Sequence, residues 1–443
     1  MAETAGVPAV GIICSGFMPS ARTTAEAAGQ RNARLVEFPS PNIGVQSEAD
    51  VRANARVLLD EVIESLTGEV VAEERPLTTE PSPREIVFRG TLEEVNDYFY
   101  ENRMTDALPI VPPTPEKIQE FLKHTDRSPD EVLGVFPPEK RSATPWTVAV
   151  NGVMAGCRPE YMPVLMAITE AVADPRYSIG QSGSTSGWAP MIIVNGPIID
   201  QLHFQSETSV TRPGRRANTT IGRFLRLFMV NVPRFLPGIT DKATFGLNFF
   251  VVLAEAEHRS PWEPLSVSLG FNPETSVVTV NSVLCVSYNF VTFGSAENHM
   301  QIMAEEAIRA LSQDPVPLTF GPERRHMLVL SPLVASILSK GGYSRRDIQQ
   351  YLFENVGIPA SKFDRLLQRT WPKETACSLV KVGKLPESFC KSENPDRKVP
   401  LMWNPDEFLI VVAGDPTRNR SFIATQCGDQ GLATSRAIEV SGN

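Results

Sequence analysis

The stretches GVPAVGII (6–13), SARTTAEAAG (20–29), ARLVEFP (33–39) and SEADVRANARVLLDEVIESLTG (47–68) decide the fold class. The first and third are short apolar runs suited to buried strands. The second ends at Gly29, a natural helix stop. The fourth carries the clearest helical signature in the chain. Ser47 stands at the cap, apolar residues recur at 51, 55, 58, 59, 62, 63 and 66, and Gly68 terminates the run. The order strand–helix–strand–helix predicts a small parallel βαβα unit over residues 1–68.

Residues 69–85 (EVVAEERPLTTEPSPRE) are acidic, proline-rich and without apolar periodicity, and they read as a linker. From 86 to 443 the pattern is that of a larger mixed α/β domain. Helices are expected at 91–104, with Thr91 and Glu94 forming a capping box, after Pro115, and at 161–175, 220–232, 296–313 and 344–356. Strands are expected at 189–198, 245–257, 276–282, 326–332 and 407–415. Several of these are wholly apolar and end in loops rich in Gly, Asn or Asp. In open α/β sheets the binding crevice forms at such strand ends.

A chain of 443 residues is too long for one compact unit, which fits two or three domains. Hydrophobic content of 42% with 21% charged residues describes a protein able to bury a sizeable core in water. A net charge of −9 argues against nucleic acid or an anionic membrane as main partner, since both reward clustered Lys and Arg. No apolar run approaches the ~20 residues that span a bilayer. The six cysteines (14, 157, 285, 377, 390, 427) form no CxxC pair, and the start lacks the basic region of a secretory signal. Reduced thiols in a cytoplasm are therefore expected.

Four segments could carry chemistry. In NGVMAGCRPEYMP (151–163), Cys157 follows Gly152 and Gly156 and precedes an expected helix start. A thiol there meets N–H groups and a positive dipole end that lower its pKa, with Arg158 adding to the effect. Glu160 or Tyr161 could move a proton, and Asn151 could hold substrate. The competing reading is a small apolar residue filling space between loop and helix. QSGSTSGW (181–188) offers Ser184, Thr185 and Ser186 as donors to an anion or carbonyl oxygen, or is a plain surface turn. Asn195, which closes the following strand, is a further candidate for holding substrate. In TRPGRRANTTIGR (211–223), Arg212, Arg215 and Arg216 lie beside Asn218, Thr219 and Thr220 at a helix start, a receptor for carboxylate or phosphate or a solvated turn.

In AEAEHRSPWEP (254–264), Glu255 and Glu257 would share a face of a continued strand. Glu255 could act as a general base. The five histidines are scattered. If a metal binds, His203, Glu257 and His258 are its candidate ligands, with Glu255 and His299 as further possibilities and Asn298 beside the latter. Cys14, at a strand end before a helix, repeats the Cys157 setting, and Cys427 lies in a glycine-rich loop.

The segment Gly6–Val10, the turn Pro39, Pro41, Gly44 and the helix 47–68 resemble the closing part of the small α/β domain of the UGSC-like family. That family is named for a selenocysteine-Gly-Ser-Cys motif, often with cysteine in the first position. More loosely, the segment is similar to the end of the selenoprotein B subunit of glycine reductase. The remainder, from NGVMAGCRPEYMP through IVVAGD, is similar to a bacterial domain found beside UGSC-like segments. No [UC]GSC string exists in this chain. The resemblance thus implies that the redox centre is lost, or that a small thiol-bearing partner subunit completes the first domain. It also implies a thiol-dependent lyase, reductase or hydrolase that cleaves or transfers at a carbon–heteroatom bond of a small carboxylate. A metal-dependent hydrolase or lyase and a non-catalytic scaffold subunit are the alternatives. No organic cofactor is implied.

Overall fold

The computed structural model describes residues 2, 5–68, 82, 84–249, 251–426 and 431–440. Most of the expected linker, at 69–81 and 83, lies outside them, as does Cys427. In the small unit, β1 (Val10–Cys14), α1 (Met18–Ala27), β2 (Arg34–Phe38) and α2 (Glu48–Thr67) follow the expected order. β1 and β2 pair in parallel from Val10↔Arg34 to Cys14↔Phe38. Gly29, at φ +75°, ends α1, with the Gln30 N–H bonding back to Ala25 O at 2.8 Å. Ser47 Oγ caps α2 by accepting the Asp50 N–H, and Glu48 and Asp50 sit at the positive end of the helix. The core of this unit is small: Val36, Phe38 and Leu58, with Val10, Cys14 and Val62 packed beside them. Ile12, Val57, Leu59 and Ile63 stay exposed.

The large unit begins with α3 (Leu92–Glu101), α4 (Pro115–Leu122) and the hairpin β3 (Gly134–Phe136)–β4 (Arg141–Ala143). Then come α5 (Pro145–Ala155), α6 (Met162–Ala173), β5 (Ala189–Asn195), α7 (Ile198–Gln201), α8 (Arg216–Asn231) and β6 (Leu253–Ala254). They are followed by α9 (Leu265–Ser268), β7 (Val277–Val286), β8 (Phe290–Val291), α10 (Ala296–Leu311), β9 (His326–Leu330), α11 (Pro332–Lys340) and α12 (Arg345–Asn355). The chain closes with β10 (Gly357–Pro359), α13 (Ala360–Leu367), α14 (Ala376–Lys381), β11 (Lys398–Pro400), β12 (Phe408–Val412), β13 (Arg420–Gln426) and β14 (Thr434–Ala437).

One mixed sheet organises this unit, in the order β12-β9-β13-β7-β5-β6, with β14 added to β7 and β8 to β13. β12–β9 and β5–β6 pair in parallel, and the other neighbours run antiparallel. The two ends of this path meet. The Ala256 N–H donates to Val412 O at 2.7 Å, and Glu255 Oε1 accepts the Val412 N–H at 3.2 Å. The curled sheet therefore has an inside, filled by Met191, Ile193, Leu253, Val283, Met327, Val329, Leu409, Val411 and Ala424. On its outer faces, Ile192, Val194, Val278 and Val280 join the core under α5, α6 and α8. Leu328, Leu330, Phe408, Ile410 and Ile423 join the core beneath α10, α11, α12 and α13. Strands covered on both faces tend to be apolar runs, which is why 189–194, 327–330 and 408–412 show no alternation.

The protein is thus α/β, a parallel strand pair at the N-terminus and a larger mixed sheet. Two expectations need correction. Of 245–257, only Leu253–Ala254 is strand, because the preceding residues form a strap that crosses another loop, described below. The six cysteines are not all reduced thiols: Cys377 and Cys390 form a disulfide, with Cα atoms 5.0 Å apart. No helix among the described residues is long and apolar enough to cross a membrane.

Candidate functional site

Cys157 takes its place from the end of one helix rather than the start of another. Thr144 and Thr147 form a capping box that opens α5, and Gly156, at φ +80°, closes it in the left-handed conformation. Gly152 lies inside the helix. A Cβ there would stand 2.7 Å from Leu165 Cδ1 and 2.9 Å from Phe121 Cε1, so this glycine permits close packing rather than a turn. Cys157 follows at once, its N–H bonded to Gly152 O at 3.0 Å. The side chain is 7% exposed and belongs to the apolar core. Burial pushes its thiol up to about 12; the bond from Thr220 and the charges of Arg216 and Arg223 oppose this without prevailing. The expected lowering of the thiol pKa is therefore reversed, because desolvation outweighs the neighbouring cations.

Several expected residues do converge around this corner. Arg216 Nε donates to Gly156 O at 3.1 Å, which ties the start of α8 to the end of α5. Tyr161 ends the short 3-10 turn Pro159–Tyr161 and is buried; burial raises its phenol, with the Arg158 charge opposing. Arg158 approaches Glu160 at 3.6 Å. Arg212 and Arg215 are exposed, and α8 begins after Arg215 with no side-chain cap and no acidic residue in its first turn. Arg223, which sequence reasoning passed over, grips Asp106 with two bonds of 2.9 Å and also donates to Pro109 O. It anchors the proline loop beside the corner. The four-residue spacing 216, 220 and the step to 223 put all three on one helix face, a signal legible in the sequence.

Other expected substrate contacts are engaged elsewhere. Asn151 is buried, donating to Thr147 O and accepting from Asn231, so it joins α5 to α8. Asn218 donates to Gln205 O and Val252 O and accepts the Gln205 N–H. Thr219 Oγ1 accepts the Gly214 N–H. The 181–188 loop is not at the corner. Its carbonyls receive the strap: Lys242 N–H bonds Gly183 O, Thr244 N–H bonds Thr185 O and Leu247 N–H bonds Gly187 O, at 2.8, 3.1 and 3.0 Å. Ser184 and Ser186 hydrogen-bond each other at 2.8 Å. A Cβ on Gly183 would lie 2.3 Å from Thr240 O, so the glycines serve close backbone crossing. Gly183→Ala is expected to cost about 1–3 kcal/mol and to loosen the strap. Limited proteolysis checks this; an unchanged cleavage rate at 237–249 would refute it.

The carboxylates at the sheet closure form a hub. Glu255 is fully buried; its Oε2 accepts from Asn195 Nδ2 and the Leu265 N–H, at 2.7 and 2.8 Å. Its Oε1 accepts from Arg345 Nη2 at 2.8 Å and the Val412 N–H. With four donors on two oxygens, no lone pair is left to take a substrate proton. Glu255 and Glu257 do converge, on Asn195 Nδ2, but through the turn Glu257–Arg259 instead of a continued strand. Burial raises the Glu257 carboxyl, while bonds from Asn195 and the Gly196 N–H oppose. His258 is exposed and pairs with Glu207 at 2.9 Å, His203 is exposed, and His299 is buried in α10 with Asn298 on the exposed side. Among the described residues, no group of three His, Cys, Asp or Glu is arranged to hold a metal ion.

Residues 1–68 match the model of the UGSC family, so the small unit is UGSC-like, and the match ends at Gly68, one residue beyond α2. No curated protein matches the chain.

Proposed function

We propose that the large unit holds a small anion, a carboxylate by preference, where the 156–161 turn meets the start of α8. In this reading it is the substrate-holding part of a thiol-dependent enzyme acting at a carbon–heteroatom bond. The observation that carries the reading is the coincidence of an uncapped helix start after Arg215 with Arg216, which is bonded to Gly156 O, and Arg158, whose charge acts with that of Arg216 on Tyr161. First-turn N–H groups and guanidiniums together favour a bound anion. Tyr161 and Cys157 border the same corner as neutral groups, so they line the site or donate hydrogen bonds. The reacting thiol then comes from a partner. The apolar residues left exposed on β1 and α2, Ile12, Val57, Leu59 and Ile63, support such a partner, because a two-strand sheet with an uncovered face gains by adding strands.

Calorimetric titration of the full chain with glycolate tests the reading. Arg216→Gln is expected to weaken binding by roughly tenfold, one charge-assisted contact. Glycolate binding that is absent, or indifferent to Arg216→Gln, would overturn it.

A further inference from the structure

Helix α8 has a second face that the corner does not use. At roughly 100° per residue, Gly222, Leu225 and Met229 lie about 100–180° around the helix from Arg216 and Arg223, with Arg226 on the flank between the two faces. With Trp188 and the strap they enclose a cavity of about 290 Å³. That is near the low end for small-molecule sites, enough for a ligand of about 10 non-hydrogen atoms. One charged group in its wall is under-partnered. Arg226 approaches one carboxylate, Asp241, at 3.8 Å, beyond hydrogen-bond range. Trp188, 3% exposed, adds an aromatic ring to the wall, held edge-on to Tyr177 at 5.7 Å.

We propose that this cavity binds a small monocarboxylate with a flat apolar body. Arg226 takes the carboxylate, and Trp188, Leu225 and Met229 pack against the body. The neighbouring Asp241 carboxylate disfavours a doubly charged phosphate in the same place, which selects a single negative charge. The strap that roofs the cavity is itself held by the small unit: Ser20 Oγ donates to Ile239 O at 3.1 Å, and Lys242 lies over the Phe17 ring.

The test is calorimetric titration of the full chain with phenylacetate and with its neutral isostere phenylacetamide. Phenylacetate is expected to saturate and to bind roughly tenfold tighter than the amide. Arg226→Gln should erase that preference, and Gly222→Leu, which fills the cavity at a position where glycine disfavours helix, should abolish both interactions. Arg216→Gln, which weakens glycolate binding at the corner, should leave in place the acid-over-amide difference set by Arg226, so failure of one site is distinguishable from failure of the other. No saturation by about 10 mM phenylacetate, equal affinity for acid and amide, or a loss caused by Arg216→Gln but not by Arg226→Gln would each overturn the proposal.

Discussion

Glu255→Ala lowers the stability of the large unit by about 3–5 kcal/mol in urea unfolding, the range for breaking a buried ion pair from one side. The substitution leaves Arg345, 5% exposed, facing the core with a lost partner, although its bond to Ile410 O remains. It also strips acceptors from the N–H groups of Leu265 and Val412 and from Asn195. These groups come from α9, β12 and β5, so one carboxylate joins the elements that close the sheet. Glu255→Gln keeps the volume but turns two acceptor sites into donors, and it should cost nearly as much. Replacing both Glu255 and Arg345 by Met should recover part of the loss, since no charge then stays unpaired. A Glu255→Ala protein within about 1 kcal/mol of the parent would show that the hub does not hold the closure together.

Cys157 should resist alkylation in the folded protein while the exposed Cys285 reacts. With its thiol pushed from the ordinary 9.0 up to about 12, the thiolate available at neutral pH falls by roughly 1000-fold. The same shift links the residue to stability. Its folded-state pKa lies above its unfolded value, so the stabilisation is complete below pH 9 and is lost as pH climbs toward 12. The full loss is on the order of 4 kcal/mol. Cys157→Ala should remove this alkaline component. Iodoacetamide labelling followed by peptide mass analysis decides the matter: rapid modification of Cys157 at pH 8 without unfolding would contradict the buried, neutral thiol.

The linear pattern gives away what depends on neighbours in sequence. Ser47 and Thr91 cap where their side chains reach the third amide ahead, and α2, α8, α10 and α12 repeat their apolar faces at helical spacing. The buried strands β5, β9 and β12 show as unbroken apolar runs. β13 and β14 were missed because Ser, Thr and Arg interrupt their pattern, and these strands are recruited by pairing with β9 and β7.

The candidate site divides in the same way. That Arg212, Arg215 and Arg216 cluster at a helix start is written in consecutive residues. Whether Cys157 is acidic or inert is not, because the answer depends on how much water the packing of α5 against α8 excludes. Nor does the sequence say that Glu255 meets Arg345, ninety residues on, or that the glycines of 181–188 admit the strap in place of an anion. Sequence by itself determined the N-terminal unit, the apolar buried strands, the capped helices and the adjacency of Arg212, Arg215 and Arg216. Only the tertiary structure decided which polar groups are desolvated and which find partners, since burial and long-range pairing are properties of the assembled sheet and its covering helices.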